Sequence, residues 1–183
     1  MNIFLLDEDP ALCARYHCDK HVVKMVLETT QILSTVARGL GHDVGYKPTH
    51  AKHPSVLWAG KNSITRLWTY ALGLELGKEY THRYGKTHKS VSMLLSIGDA
   101  LKLYALDVVD LDKDTGPYPL AVGVDTKKEL GAGSHTAYAS DAIRVYRHYY
   151  FKEKYAICKW TNRREPYWWV DKIREAKRKK YKS

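Results

Sequence analysis

The sequence predicts an all-α fold, in a single compact domain of about five to six helices. Three stretches of the 183-residue chain, 9–39, 62–85 and 140–157, have a helical pattern, and each begins at a residue that caps helices well. The composition, 44% hydrophobic and 27% charged residues, is that of a globular protein. No apolar run approaches the ~18 residues of a membrane span, so we expect no membrane-spanning segment.

The first helix is predicted from Asp9 and Pro10, which form an N-terminal cap, to Gly39, which stops it. At the helical period its residues separate into two faces. The apolar face comprises Val22, Val23, Val26, Thr30, Leu33 and Ala37, and the polar face comprises His17, Lys20, His21, Lys24, Glu28 and Gln31.

This polar face permits two interpretations. It is the ordinary solvated side of a surface helix, or it is a site that binds an anion and moves protons on it. A single carboxylate, Glu28, among four basic side chains favours a site. We therefore take this helix as the element around which the function is organised.

A second candidate anion site precedes a short helix that starts at Pro54. His50 and His53 lie just before its N-terminus, where free backbone N–H groups and the helix dipole favour negative charge. These histidines, together with His17 and His21, could alternatively hold a metal ion. The main hypothesis requires no metal and no cofactor.

The second long helix, 62–85, is capped by Asn62 or Ser63 and stopped by Gly85. Its end and exit carry a dense basic set, for which helix-dipole capping and phosphate binding are both possible explanations. We favour a phosphate-contacting cluster. Its members are His82, Arg83, Lys86, His88 and Lys89.

The rest of the chain reads as a third helix over 90–106, a long irregular loop over 107–133, a helix from Ser140 to about 157 and a final helix. Basic residues continue through this part, and adjacent arginines precede tryptophans that could stack on a base or plug the core. The candidate nucleic-acid contacts are Arg144, Arg147, Lys154, Arg163, Arg164 and Trp168.

Charge and cysteine content narrow the class of protein. The net charge is +10, and seven Lys or Arg against one Glu in 172–183 supply most of it. We therefore divide the chain into a helical domain, 1–171, and a basic C-terminal helix or tail, 172–183, which favours polyanions or merely solubilises the end. Three cysteines without a CxxC pattern indicate reduced thiols, and the start of the chain lacks a signal peptide, so we expect a cytoplasmic protein.

Two motifs in this order resemble a known family. Asp19 and His21 form a D-x-H pattern, and Glu28 follows seven residues later, as in the phage pyrimidine-dimer DNA glycosylases of the endonuclease V type. The stretch from His53 to Gly60, HPSVLWAG, is similar to a segment of bacterial relatives. The resemblance covers roughly the first 85 residues. The whole chain is also similar to a group of uncharacterised small phage proteins.

The resemblance implies a DNA glycosylase with AP-lyase activity on damaged or modified bases. In that chemistry an amine attacks the sugar C1′ and forms a Schiff base, while Glu28 handles protons. The amine is that of residue 1 or 2, or that of Lys20 or Lys24, and His21 completes the candidate catalytic set. The family's arginine before the glutamate is Leu27 here, and Asn at position 2 is expected to leave Met1 in place.

Two other classes remain open at this point. A phosphohydrolase or transferase acting on a free nucleotide would use the same His, Lys and Arg residues around a phosphate. A non-enzymatic phage protein that binds nucleic acid or a host protein would use the polar face only as an interface. If the chain is phage-encoded, the expected compartment is the host cytoplasm.

Overall fold

The computed structural model describes residues 1–104, 111–129 and 135–180. Nine α-helices, two short strands and one 3-10 helix occur within these ranges. In chain order they are α1 Pro10–Tyr16, α2 Asp19–Gly39, α3 Pro54–Gly60, α4 Ser63–Tyr84, α5 Ser90–Leu101, α6 Leu111–Thr115, β1 Tyr118–Pro119, α7 Val124–Glu129, β2 Thr136–Ala137, α8 Ala139–Glu153, the 3-10 helix Tyr155–Ile157 and α9 Tyr167–Lys180.

The all-α prediction is confirmed, since only a two-residue antiparallel pairing of β1 with β2 departs from helix. Helix α2 is central and packs on α3, α4 and α5, while α1 packs on α4. Two apolar clusters form the core. The larger joins α1 to α4 with α8 and α9, and the smaller joins α2, α4 and α5 around Leu33, Leu94 and Ile97.

The predicted first helix is two helices, because the chain turns at His17 and Cys18. Both residues have extended backbones, with ψ of 134° and 162°, so α1 ends before them and α2 starts after them. His17 is fully buried, and its Nδ1 donates to the carbonyl of Cys13 at 2.7 Å. His17 therefore does not belong to the polar face of α2.

Residues 2–6 form no regular element but lie in the core. Ile3, Leu5 and Leu6 are completely buried. The hydroxyl of Tyr118 donates to the carbonyl of Ile3 at 3.2 Å. The start of the chain therefore packs on the helices, as its apolar composition predicts.

Helix α4 has the predicted ends. Asn62 and Thr65 form a capping box, and Gly85 closes the helix with a φ of 64°, a conformation in which glycine has no side chain to clash. Helix α5 is shorter than predicted, because Lys102 adopts a left-handed backbone with φ of 54°. The predicted 107–133 loop contains α6, β1 and α7, and its residues 107–110 and 130–133 lie outside the described ranges.

In the C-terminal part, α8 begins one residue earlier than predicted, and the tryptophans of α9 are buried in the core. Helix α8 starts at Ala139 with Tyr138 at its cap position, not Ser140. Trp168 and Trp169, at the start of α9, are buried in the larger core cluster. The predicted boundary between 171 and 172 falls inside α9, and the division into a domain and a tail stays a prediction. No helix in the described ranges is long and apolar enough to cross a membrane.

Burial of His17 predicts an acid-sensitive fold. Burial lowers the pKa of His17 to about 3, well below its ordinary value, so the unfolded chain takes up this proton and the folded chain does not. Between about pH 6.5 and 3 the unfolded state binds more protons, and the free energy of unfolding falls as the pH falls, by up to about 1.4 kcal/mol per pH unit.

We expect His17→Gln to flatten this dependence between pH 6.5 and 4.5, because glutamine does not titrate. Urea unfolding at several pH values measures it, and the matched control is His42→Gln, at an exposed position. Equal pH slopes for wild type and His17→Gln would contradict a buried neutral histidine.

Candidate active site

Glu28 lies on α2 against the start of the chain, with 7% of the residue exposed. Its Oε2 accepts a hydrogen bond from the backbone N–H of Asn2 at 2.9 Å, and its Oε1 lies 3.9 Å from the amino nitrogen of Met1. The Nζ of Lys24, one turn earlier on α2, is 3.2 Å from the same Oε1. The carboxylate therefore contacts two amines and one amide.

Asn2 is held in place by Tyr146 and by the backbone of Ala121, both from distant parts of the chain. The hydroxyl of Tyr146 is 3.4 Å from the Oδ1 of Asn2, and the Nδ2 of Asn2 donates to the carbonyl of Ala121 at 3.1 Å. The same hydroxyl donates to the carbonyl of Pro119 at 2.9 Å. Position 2 is thus fixed from both sides beside Glu28.

His53 is the third functional group near this carboxylate. It caps the N-terminus of α3, where its Nδ1 accepts from the backbone N–H of Ser55 at 3.2 Å. Burial lowers the pKa of His53, and the nearby amino group of residue 1 and His50 lower it further, while Glu28 opposes them. His53 is therefore neutral at pH 7, and because Nδ1 accepts, its proton is on Nε2.

The turn that carries both histidines is anchored on α2. The hydroxyl of Thr35 accepts a hydrogen bond from the backbone N–H of Thr49 at 3.1 Å and lies 3.2 Å from the carbonyl oxygen of the same residue. His50 has a left-handed backbone with φ of 49°, which is uncommon for a residue with a side chain. This bend places His50 and His53 together in front of α3, as the sequence predicts.

Two other residues of the polar face do not reach Glu28. His21 is buried two turns away, where its Nδ1 lies 2.6 Å from the hydroxyl of Tyr150 and its ring stacks on Phe4 at 4.7 Å. Lys20 is exposed and lies eight residues before Glu28, a rise of about 12 Å. The geometry groups Glu28, Lys24, His53 and the start of the chain, and it leaves His21 and Lys20 outside.

Arg83 is a buried structural residue and does not lie on a phosphate-binding surface. Its guanidinium bonds to Glu79 at 2.7 Å, to Asp19 at 2.8 Å and to the carbonyl of Arg15 at 3.1 Å. Arg163 adds a bidentate pair to Glu79. Burial raises the pKa of Glu79, but the hydrogen bonds from both arginines outweigh it and hold that pKa below its ordinary value. The exposed phosphate role predicted for Arg83 does not fit this environment.

The remaining members of the basic set lie at the junction of α4 and α5. Lys86 and Lys89 are exposed, and Lys86 lines a shallow cavity with Val23. His88 packs on the ring of Tyr80, and its Nδ1 accepts a hydrogen bond from the backbone N–H of Ser90. Burial lowers the pKa of His88. Lys86 and Lys89 therefore remain available to a phosphate, whereas His88 is tied to the fold.

The candidate nucleic-acid contacts in the C-terminal part also divide into residues that are tied to the fold and residues at the surface. Trp168 is 94% buried, so it packs in the core and does not present a face for stacking on a base. Arg147 donates to the carbonyl of Leu6 and pairs with Asp7 at 3.0 Å. Arg144, Lys154 and Arg164 lie at or near the surface, with Arg144 paired to Asp141 and Lys154 over the ring of Tyr149.

Two contributions were not recognised in the sequence. Asp19, the first residue of the D-x-H pattern, accepts from Arg83 and Thr161 and so joins α2, α4 and the C-terminal segment. Tyr146 positions Asn2. No local signal marks either role, because both depend on partners more than 60 residues away.

Within the described ranges, no group of three or more His, Cys, Asp or Glu is arranged to hold a metal ion. His53 lies near Glu28, in the middle of α2, whereas Arg83 is bonded to Asp19 at the start of that helix, so these two members of the predicted His, Lys and Arg set are not neighbours. The described residues do form one amine–carboxylate site, with a neutral histidine beside it, in a helical scaffold.

Comparison with known protein families identifies the family to which this amine–carboxylate site belongs. The family model described as pyrimidine dimer DNA glycosylase matches residues 1–110, and the chain belongs to this family. The match contains α1 to α5 and every member of the amine–carboxylate site. Neither the curated proteins nor the solved structures contain a match. Family membership supports a DNA glycosylase acting on pyrimidine dimers, with DNA as its substrate.

The structural role of Arg83 makes a testable prediction about stability. Arg83→Ala removes the cation that pairs with Asp19 and leaves Glu79 with Arg163 alone, and we expect it to lower the free energy of unfolding by about 3–5 kcal/mol. Urea unfolding gives this value. The control Lys86→Ala, at an exposed position just after α4, should change it by less than about 0.5 kcal/mol.

An unchanged stability of Arg83→Ala would support the predicted contact of Arg83 with a DNA phosphate. If Arg83→Ala is as stable as the wild type and loses affinity for DNA, Arg83 contacts DNA and the buried network described here is incorrect.

Proposed function

We propose that this protein removes a damaged pyrimidine through an amine nucleophile and then cleaves the abasic site, with Glu28 as the essential carboxylate. The observation that carries this proposal is the contact of the Glu28 carboxylate with the first two residues of the chain, 2.9 Å from the nitrogen of Asn2 and 3.9 Å from that of Met1. A carboxylate and an amine at this distance are the two groups that Schiff-base chemistry at a sugar carbon needs.

The uncharged amine attacks C1′, the bond from C1′ to the base breaks, and the base leaves with a proton. The sugar ring then opens, its oxygen O4′ takes a proton, and the amine nitrogen becomes a Schiff base to C1′. Loss of a proton from C2′ expels the phosphate at the 3′ position. Glu28, next to the amine, accepts the amine's protons and stabilises the positive charge that develops at C1′.

The two amines in contact with Glu28 differ in their exposure to solvent. The side chain of Met1 is 3% exposed, whereas that of Lys24 is 66% exposed. Because a nucleophile in a site that excludes water has less hydration to lose, we assign attack to the amine at the chain start and a charge-balancing role to Lys24.

His53 acts in this site as a neutral hydrogen-bond donor. An imidazolium would compete with the amine for Glu28, and the lowered pKa of His53 prevents this at neutral pH. Its Nδ1 is used as the cap of α3, and its Nε2–H, which has no acceptor within the described ranges, can donate to an oxygen of the sugar or of its phosphate. His53 therefore positions the nucleotide without adding charge.

Borohydride trapping tests the carboxylate and the amine. We expect wild-type protein to form a trapped adduct with DNA that contains a pyrimidine dimer or an abasic site, and Glu28→Gln to form it at least about 100-fold more slowly, in the range of general acid–base effects. Glu75→Gln, on α4, is the matched control. Mass spectrometry of the digested adduct should place the sugar on the N-terminal peptide.

An adduct on the peptide that contains Lys24 would transfer the nucleophile to that residue. Wild-type protein that is never trapped, or Glu28→Gln trapped at the wild-type rate, would contradict the proposed reaction and favour a non-enzymatic DNA-binding role.

A second prediction separates the two roles of His53. Asparagine is a good N-cap, so His53→Asn keeps the cap of α3 while it removes the imidazole. We expect it to slow trapping roughly tenfold, about 1.4 kcal/mol of transition-state stabilisation, with an unchanged midpoint of urea unfolding. Full activity in His53→Asn, together with lower stability in His53→Ala, would show that this residue only caps the helix.

A further inference from the structure

A cationic cavity lies between α8 and α9, outside the residues that match the family. Its volume is about 250 Å³. The residues around it are mostly basic, and a serine hydroxyl stands at one edge. They are Ser140, Arg144, Arg147, His148, Trp168 and Lys172, with one apolar neighbour, Ile143.

The positive charge of this cavity is partly neutralised at its rim. Arg144 pairs with Asp141, and His148 lies 3.2 Å from Glu129. Lys172 lies over the ring of Phe151, with its Nζ 5.8 Å from the ring centre, and it has no carboxylate partner among the described residues. Lys172 is therefore the cation in this cavity that an incoming anion would neutralise.

The size of the cavity limits its occupant. About 250 Å³ is below the 300–1,000 Å³ of pockets that enclose whole small-molecule ligands. It is several times the roughly 30 Å³ that one water occupies in the liquid. The space therefore suits one phosphate group with a few waters and is too small for a complete nucleotide.

Arg147 connects this cavity to the amine–carboxylate site. Its guanidinium donates to the carbonyl of Leu6, and Asn2, four residues earlier, contacts Glu28. An extended chain covers at most about 14 Å over four residues. The cavity is thus only a few base-pair steps from the reacting nucleotide, at ~3.4 Å of helix axis per step.

We propose that this cavity binds a backbone phosphate of the same DNA on which Glu28 acts, and that Lys172 supplies the charge that neutralises it. The inference rests on the proposed function for the identity of its ligand. It gives the α8–α9 pair, which the family match does not cover, a function in holding the DNA beside the reaction site.

Salt-dependent binding tests this without any chemistry. The probe is a labelled duplex with a tetrahydrofuran analogue of an abasic site, which an amine cannot attack. Its affinity is measured by fluorescence anisotropy between about 50 and 200 mM salt, because each phosphate contact makes binding more sensitive to salt over this range. We expect Lys172→Gln to weaken binding about fivefold and to make the slope of log K against log salt less negative by about 0.9.

Arg178→Gln is the matched control, because it removes the same charge from α9 at an exposed position outside the cavity. Lys172→Glu should weaken binding further than Lys172→Gln. An unchanged slope in Lys172→Gln, or an equal change in Arg178→Gln, would overturn the proposal. Unfolding midpoints of all variants verify that each is folded.

The two proposals fail separately. If wild-type protein is never trapped on DNA but Lys172→Gln still changes the slope, the cavity binds phosphate and the catalytic proposal alone is wrong. If trapping succeeds and the slope does not change, the cavity has no part in binding DNA.

Discussion

The contact between Glu28 and the first two residues of the chain is the interaction on which the structure of the site depends. A carboxylate loses much of its hydration when it is buried, so it needs partners, and here these are an amide N–H and two amines. In the proposed reaction, the interactions that stabilise Glu28 in the folded protein are also the ones that place it beside a nucleophile. Stability and chemistry therefore use the same few atoms.

The basic residues of this chain fall into two groups with different physical roles. Arg83 and Arg147 are held by buried or half-buried acceptors and join separate parts of the fold, because a guanidinium can donate in several directions at once. Lysines such as Lys20, Lys86 and Lys89 are exposed and can neutralise phosphates. These buried arginines are matched by Asp7, Asp19 and Glu79, so their charges cancel in the sum, and the net charge of +10 is carried by residues outside these ion pairs.

Local patterns were sufficient to predict both ends of α4, whereas several other helices depend on contacts between distant parts of the chain. The capping box at Asn62 and the left-handed Gly85 depend on neighbouring residues only, and both ends of α4 agree with the prediction. No proline or glycine marks the break between α1 and α2 in the sequence. The break depends on the burial of His17 in the folded protein. Motif spacing led to Glu28, but only the folded chain brings Glu28, His53 and position 2 together.

The burial of residues 2–6 has a consequence for the synthesis of the protein. Tyr146, which contacts Asn2, lies 144 residues further along the chain, and Arg147, which contacts Leu6, lies 141 residues further. A ribosome that adds about 5–20 residues per second needs roughly 7–30 s to produce these partners. During that time the Ile-Phe-Leu-Leu run has its early partners, such as Cys13, but not these late ones, so part of its apolar surface stays exposed and is a binding site for chaperones.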